Sequence, residues 1–241
     1  LQEMFCFASG RRHRLIKAAK NAGFLFHTAA PHGFIDGGLI ILSRFPIMQS
    51  AFRPFPRGIH SDMLAGKGVL HANIHLSDNL EIDLFTTHLQ ATYKHPSSER
   101  ELKIRKHQLD IINGFINEYS MHSSNRITIL CGDLNINSTI PEDDCRHLHE
   151  LLRPHFLPLN EMPTFGVVSH CYNCNCETSD FVQETCFTNK HSLGTCQAID
   201  HFWVRGMSSE YEAVSSVNQM LAGTEETRFT HLSGKRNLFF N

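Results

Sequence analysis

Ile127-Thr128-Ile129-Leu130-Cys131-Gly132-Asp133-Leu134-Asn135 is a short apolar run that closes on a carboxylate and an amide two residues apart. Runs of this kind become buried strands in packed α/β proteins, and strand ends are where side chains converge on a substrate. Side chains alternate along a strand, so Asp133 and Asn135 are expected to leave its end on one side and Leu134 on the other. The alternative for Gly-Asp-x-Asn is an Asx-type turn that merely closes the strand.

Three further segments place acidic or imidazole groups on short runs of the same kind: Leu1-Gln2-Glu3, Thr86-Thr87-His88-Leu89-Gln90-Ala91 and Ala198-Ile199-Asp200-His201. Between them the periodicity is readable. Leu15, Ala18, Ala19 and Ala22 recur at helical spacing before Gly23, Phe24 to Thr28 reads as a strand, and Gly37-Gly38 turns the chain into the strand Leu39 to Ser43. Leu70, Ala72, Ile74 and Leu76 alternate, Ser77-Asp78-Asn79 turns, and Ile82 and Leu84 lead toward His88, which predicts a hairpin. Ser98 with Glu101 is a capping box for a helix ending near Tyr119, and Thr139 with Glu142 offers a second ahead of Leu148, Leu151 and Leu152. Pro154 to Gln197 shows no period and reads as loop, followed by a strand from Ala198 to Val204. Strands alternating with helices, plus a hairpin, predict two stacked sheets with helices outside, an α-β-β-α sandwich.

A chain of 241 residues that is 41% hydrophobic suits one soluble domain with a sizeable core. Its net charge of −2 supplies no global positive field for a polyanion, so nucleic acid is not the expected partner. No run approaches the roughly 18 apolar residues of a membrane span, and no basic-then-apolar signal opens the chain. The chain begins on Leu1, inside a candidate motif, and reads as a fragment. Of eight cysteines, Cys171, Cys174, Cys176, Cys186 and Cys196 crowd an irregular insertion over 165–197. Zinc, a disulfide and free thiols all remain open for that cluster.

Taken together and in this order, the four segments resemble the endonuclease/exonuclease/phosphatase superfamily of metal-dependent phosphoesterases. Leu39 to Ile47, Lys67-Gly68-Val69-Leu70 and Thr87-His88-Leu89-Gln90-Ala91 are more similar to its neutral sphingomyelinase branch than to DNases. Asp62 and Lys67 stand five apart, like the aspartate and lysine of the loop that switches the animal membrane-associated neutral sphingomyelinase. The resemblance implies a four-layer α-β-β-α sandwich, truncated at both ends, forming a single phosphodiesterase domain over 1–241. It implies hydrolysis of sphingomyelin to ceramide and phosphocholine with Mg²⁺, a hard ion that takes oxygen ligands and keeps several waters.

Residue by residue, the resemblance makes Glu3 the metal ligand, and Asp133 the carboxylate that positions the attacking water. Asn135 and His88 become donors to the phosphate, and Asp200 the partner of a general-base imidazole. His201 is read as a neighbour rather than as that base. Asp62 and Lys67 would pair, with Lys67 meeting the substrate phosphate; the plainer reading is an exposed ion pair. Phe52, Pro54, Phe55 and Pro56, flanked by Arg53 and Arg57, would form a lip toward a bilayer. The family's Asp-His should follow Leu232-Ser233-Gly234, where Asn237 and Leu238 stand instead, and His231 precedes the turn. Impaired turnover is expected in this form, whether from truncation, mis-splicing or degeneration into a noncatalytic lipid-binding domain. A cytoplasmic or membrane-associated location is favoured, with secretion the alternative, and another phosphoester such as nucleic acid or an inositol lipid is the rival substrate.

Overall fold

A computed structural model describes residues 1–5, 10–31, 36–93, 96–119, 126–138, 142–158 and 199–206. The elements are α1 (Arg11–Asn21), β1 (Phe26–Ala29), β2 (Ile40–Ser43), β3 (Ile47–Pro54), a 3₁₀ turn (His60–Met63), β4 (Gly68–Ser77), β5 (Leu80–His88), α2 (Glu99–Tyr119), β6 (Arg126–Asp133), α3 (Asp143–Leu152), β7 (Leu157–Pro158) and β8 (Asp200–Arg205). β1 and β2 form a two-stranded sheet, and the rest form a six-stranded sheet in the order β3-β4-β5-β6-β8-β7. Every pairing in the larger sheet is antiparallel except β5 with β6.

That one parallel pair needs a long crossover, and α2 supplies it. Its start is the predicted capping box: the Ser98 N–H donates to Glu101 at 2.7 Å and the Glu101 N–H to Ser98 Oγ at 3.3 Å. Leu109, Ile112, Phe115 and Ile116 of α2, with Leu148 and Leu152 of α3, cover Val69, Phe85, Leu130 and Trp203 on the outer face of the large sheet. The other face carries Leu70, Ala72 and Ile74, which meet Leu39 and Ile41 beside the small sheet. α1 lies with the small sheet, where the buried Arg12 donates to the carbonyls of Met4 and Ala30 and pairs with Asp36. The layers are therefore helix, small sheet, large sheet, helices, as expected for the sandwich.

Several local expectations need correction. The helix after β6 begins at Asp143, with Glu142 at its N-cap rather than inside its first turn. The Glu142 carboxylate instead accepts the Ser97 N–H at 3.3 Å, and Thr139 lies outside the described residues. The reading of Pro154 onward as loop missed β7, which is only two residues long and edges the sheet beside β8. The proposed lip is largely packed: β3 pairs along β4, Phe52 lies against one apolar cluster, Phe55 against the other, and Arg53 pairs with Glu118 at 2.7 Å. The cysteine-rich stretch 165–197, His231, Asn237 and Leu238 fall outside the described residues.

Candidate active site

Sheet register assembles the site. His88 closes β5 opposite Asp133, which closes β6, and Asp133 stands opposite Asp200, which opens β8. Register partners on neighbouring strands project to the same face, so three segments far apart in sequence bring an imidazole and two carboxylates to one level. This is the inner face, because Gln2 Nε2 reaches across from the chain start to Thr86 Oγ1, two residues before His88. His88 Nε2 stands 3.7 Å from Asp133 Oδ2, and both side chains are buried.

The close approach of β5 and β6 depends on Gly132. Its φ is +149°, and an added Cβ would overlap the carbonyl oxygen of Thr87. Any side chain there would push apart the strands that hold His88 and Asp133 together.

Asp133 closes an Asx turn and also faces the imidazole of the neighbouring strand. Its Oδ1 accepts the Asn135 N–H at 2.9 Å, while Oδ2 faces His88. Asn135 departs from the expected alternation. The strand ends at Asp133, Asn135 sits beyond it at φ 51°, and its Nδ2 donates to the Leu89 carbonyl at 3.1 Å. The same carbonyl accepts Lys67 Nζ at 2.6 Å, and Leu89 N–H donates to the Asp133 carbonyl at 3.0 Å. Residues from two other segments thus converge on Leu89, just after His88.

Asp62 and Lys67 do pair, at 2.9 Å, but the pair is buried rather than exposed. Asp62 Oδ2 also accepts the Ala91 N–H at 2.7 Å. A buried ion pair is retained only where further hydrogen bonds satisfy it, and here the backbone of residues 89 and 91 does so.

Glu3 is placed next to Gln2 on the inner face, in the left-handed region at φ 57°. The Met4 N–H donates to the Gly38 carbonyl at 2.8 Å and the Met4 carbonyl accepts Arg12 Nε at 3.1 Å, so the backbone of Met4, next to Glu3, is held at both its N–H and its carbonyl. The positive-φ non-glycine residues among those described are Glu3, His60 and Asn135: two candidate site residues, and one that starts the turn carrying Asp62. Strained backbone of this sort gathers at functional sites. Among the described residues no three His, Cys, Asp or Glu side chains form a closed metal cluster. Mg²⁺ keeps most of its waters and needs only one or two carboxylates from a protein, which is the part assigned to Glu3 by resemblance.

His201 alternates away from Asp200 and its Nε2 donates to the Ile136 carbonyl at 2.8 Å, in keeping with a neighbour's role. Cys131, two residues before Asp133, shares the inner face. Burial pushes its thiol up and the charge of Asp200 adds to this, so it stays protonated at neutral pH.

The sequence reading passed over the polar network beneath the site. Buried Arg105 pairs with buried Asp144 and donates to the carbonyl of Gln90 and the hydroxyls of Thr92 and Ser97. Gln90 stood inside a recognised motif, but nothing local marks Arg105 and Asp144, 39 residues apart, as partners.

No protein-family model matches the chain. A sphingomyelinase of Dictyostelium discoideum is 34% identical over 174 residues, which is 60% of this chain and 38% of that protein. The chain thus spans about two fifths of that relative's length. Among solved structures, a sphingomyelinase C from Streptomyces griseocarneus superposes with a TM-score of 0.63 at 17% identity, covering 85% of this chain and 69% of that one. In sequence the chain is similar to sphingomyelinases, and its fold is that of the endonuclease/exonuclease/phosphatase structures. A second structure of the same fold, a beta toxin from Staphylococcus aureus with bound magnesium ions, superposes with a TM-score of 0.61 at 18% identity over 85% of this chain and 69% of its own. The strand-end imidazole and carboxylates lie at one level of the sheet, and Lys67 and Asn135 meet at the Leu89 carbonyl beside them.

Proposed function

We propose that the chain is one phosphodiesterase domain that hydrolyses sphingomyelin to ceramide and phosphocholine with Mg²⁺. The observation that carries this reading is the shared level of His88, Asp133 and Asp200 on three adjacent strands, beside the Leu89 carbonyl where Lys67 and Asn135 meet. The sphingomyelinase relative and the magnesium-bound beta toxin support the substrate and the ion. A bound Mg²⁺ would draw charge from the phosphoryl oxygens, and Glu3 is the carboxylate assigned to hold it.

Asp133 accepts a hydrogen bond from the attacking water and aims its oxygen at phosphorus. The new P–O bond forms from that water as the P–O bond to ceramide breaks. His88 donates to a phosphoryl oxygen as charge grows there, and Asn135 has a second N–H for the same purpose, its first being used on Leu89. Lys67 sets a positive charge beside them. Asp200 is assigned to orient the general-base imidazole of the family's Asp-His pair. With Asn237 and Leu238 standing where that pair is expected, removal of the water's proton, and with it turnover, is impaired in this form.

Substrate presentation at a bilayer rests on Met63, Leu64 and Tyr93, which are 52%, 62% and 42% exposed around the turn that carries Asp62. Apolar side chains at a site mouth can enter the headgroup boundary, and these replace the packed Phe52 and Phe55 in that role. Among the described residues no helix is long and apolar enough to cross a membrane. A cytoplasmic or membrane-associated location goes with the proposed lipid substrate, and secretion is the alternative. With a net charge of −2, it is not assigned to nucleic acid.

The test is a substrate panel with the full-length gene product. Sphingomyelin in mixed micelles should yield phosphocholine with Mg²⁺ and stop with chelator. Activity that survives excess chelator, or that falls on single-stranded DNA or inositol lipid and spares sphingomyelin, would contradict the proposal.

A further inference from the structure

The fully buried Gln90 directs its carboxamide at a neighbouring loop. Its Oε1 accepts the Ile59 N–H at 2.9 Å, and its Nε2 donates to the Ile59 carbonyl at 3.4 Å and the Ala91 carbonyl at 3.1 Å. Ile59 is buried and belongs to no strand, so its peptide has no sheet partner, and a buried peptide left unpaired is costly. A carboxamide offers the donor and acceptor that a strand would have offered. Gly58 leaves room for it, because a Cβ there would overlap Gln90 Oε1.

The backbone of Gln90 is fixed in turn. Its N–H donates to Gln108 at 3.0 Å and its carbonyl accepts Arg105 at 3.3 Å. On either side, the Leu89 carbonyl accepts Lys67 and Asn135, and the Ala91 N–H donates to Asp62. Three consecutive residues therefore grip the loop in succession: Leu89 holds the lysine, Gln90 the peptide before the turn, and Ala91 the aspartate.

We infer that Gln90 is a positioning residue that docks the Asp62–Lys67 loop onto the end of β5 and so sets where Lys67 lies relative to His88 and Asn135. It touches none of the groups assigned to contact substrate, and acts through Ile59 and the turn at His60–Met63. The inference rests on the phosphodiesterase reading for its catalytic consequence, although the docking itself does not.

Gln90→Met keeps the volume of the side chain and removes its hydrogen bonds. In hydrogen-exchange mass spectrometry of the protein, amides of residues 58–64 should exchange faster while those of α2, β5 and β6 are unchanged. Gly58→Ala, which attacks the clamp from the other side, should produce the same local pattern and covers the case in which Gln90→Met fails to fold. In the full-length gene product, kcat on sphingomyelin micelles should fall by about 10- to 10²-fold, with KM little changed, the scale expected of small misplacements. Added to Asp62→Asn, Gln90→Met should cost little more, because both variants release the same loop. Unchanged exchange at 58–64 in a folded variant, or losses that multiply, would overturn the inference. If the unaltered protein has no turnover, the phosphodiesterase reading fails, and the exchange pattern alone decides the docking role.

Discussion

Among the described residues the large sheet carries two buried histidine–aspartate pairs, one on each face. On the inner face, His88 and Asp133 sit at adjoining strand ends, 3.7 Å apart. On the outer face, His71 Nε2 lies 3.0 Å from Asp83, its ring stacked on Phe85 at 4.6 Å and flanked by Tyr119 at 4.9 Å. Asn73 and Arg126 also reach Asp83, at 3.1 and 3.4 Å, so helix α2 and these side chains enclose the pair. The chemistry of the residues is the same, and position separates their uses. A pair in the middle of two strands under a helix is locked by packing, whereas the pair at the strand ends lies at the edge of the sheet, where the proposed site would take its substrate.

The largest effect expected is from Gly132→Ala, which should damage the inner pair through the backbone. A methyl group cannot fit against Thr87, so β6 must move away from β5, and His88 moves away from Asp133. Turnover should fall by about 10²-fold and stability by about 1–3 kcal/mol; steady-state kinetics and urea melts would check both. Normal values would mean that the two strands tolerate separation and that their register does not build the site.

The outer pair gives a pH-dependent prediction. Burial pushes Asp83 up, but hydrogen bonds from His71 and Asn73 and the charges of His71 and Arg126 outweigh it, and the carboxyl titrates below its ordinary value. A depressed folded-state pKa contributes stability that is present above the unfolded value of about 4 and is lost as pH falls through the folded value. Asp83→Asn should therefore cost about 2–3 kcal/mol near neutral pH and flatten the stability curve below about pH 4. Chemical melts across that range would test it, and an unchanged acid limb would remove Asp83 from the acid sensitivity of the fold.

The smallest effect belongs to the capping box. Ser98→Ala should lower stability by about 1 kcal/mol, since one orphan donor at the start of α2 loses its partner. Thermal melts that do not move would show that Glu101, which also accepts the Tyr93 N–H at 2.8 Å, suffices to start the helix.

Much of the fold was legible because it is local. The hairpin of β4 and β5, the run of β6 and the Ser98–Glu101 cap all announce themselves within a few residues. β3 did not, because as an edge strand with Met48, Gln49 and Ser50 exposed it carries no clean alternation. For the site, motifs pointed to His88, Asp133 and Asp200, while the register that aligns them is a property of the sheet. The five-residue spacing of Asp62 and Lys67 suggested their pairing but could not report burial, which depends on the backbone of residues 89 and 91. The direction of Asn135 was misread because alternation stops where the strand does, at Asp133, two residues earlier than the sequence implied. His71, one of seventeen histidines, had no local mark of its partner in the next strand.

The most direct test sets the two aspartates side by side. Asp133→Asn and Asp83→Asn would each be made in the full-length gene product, and phosphocholine release from sphingomyelin micelles with Mg²⁺ measured per folded molecule. The expected result is at least a 10²-fold loss, roughly, for Asp133→Asn with stability little changed, and full turnover with lowered stability for Asp83→Asn. Near-normal turnover with Asn at position 133 would contradict it, and would reduce Asp133 to a residue that only closes a turn.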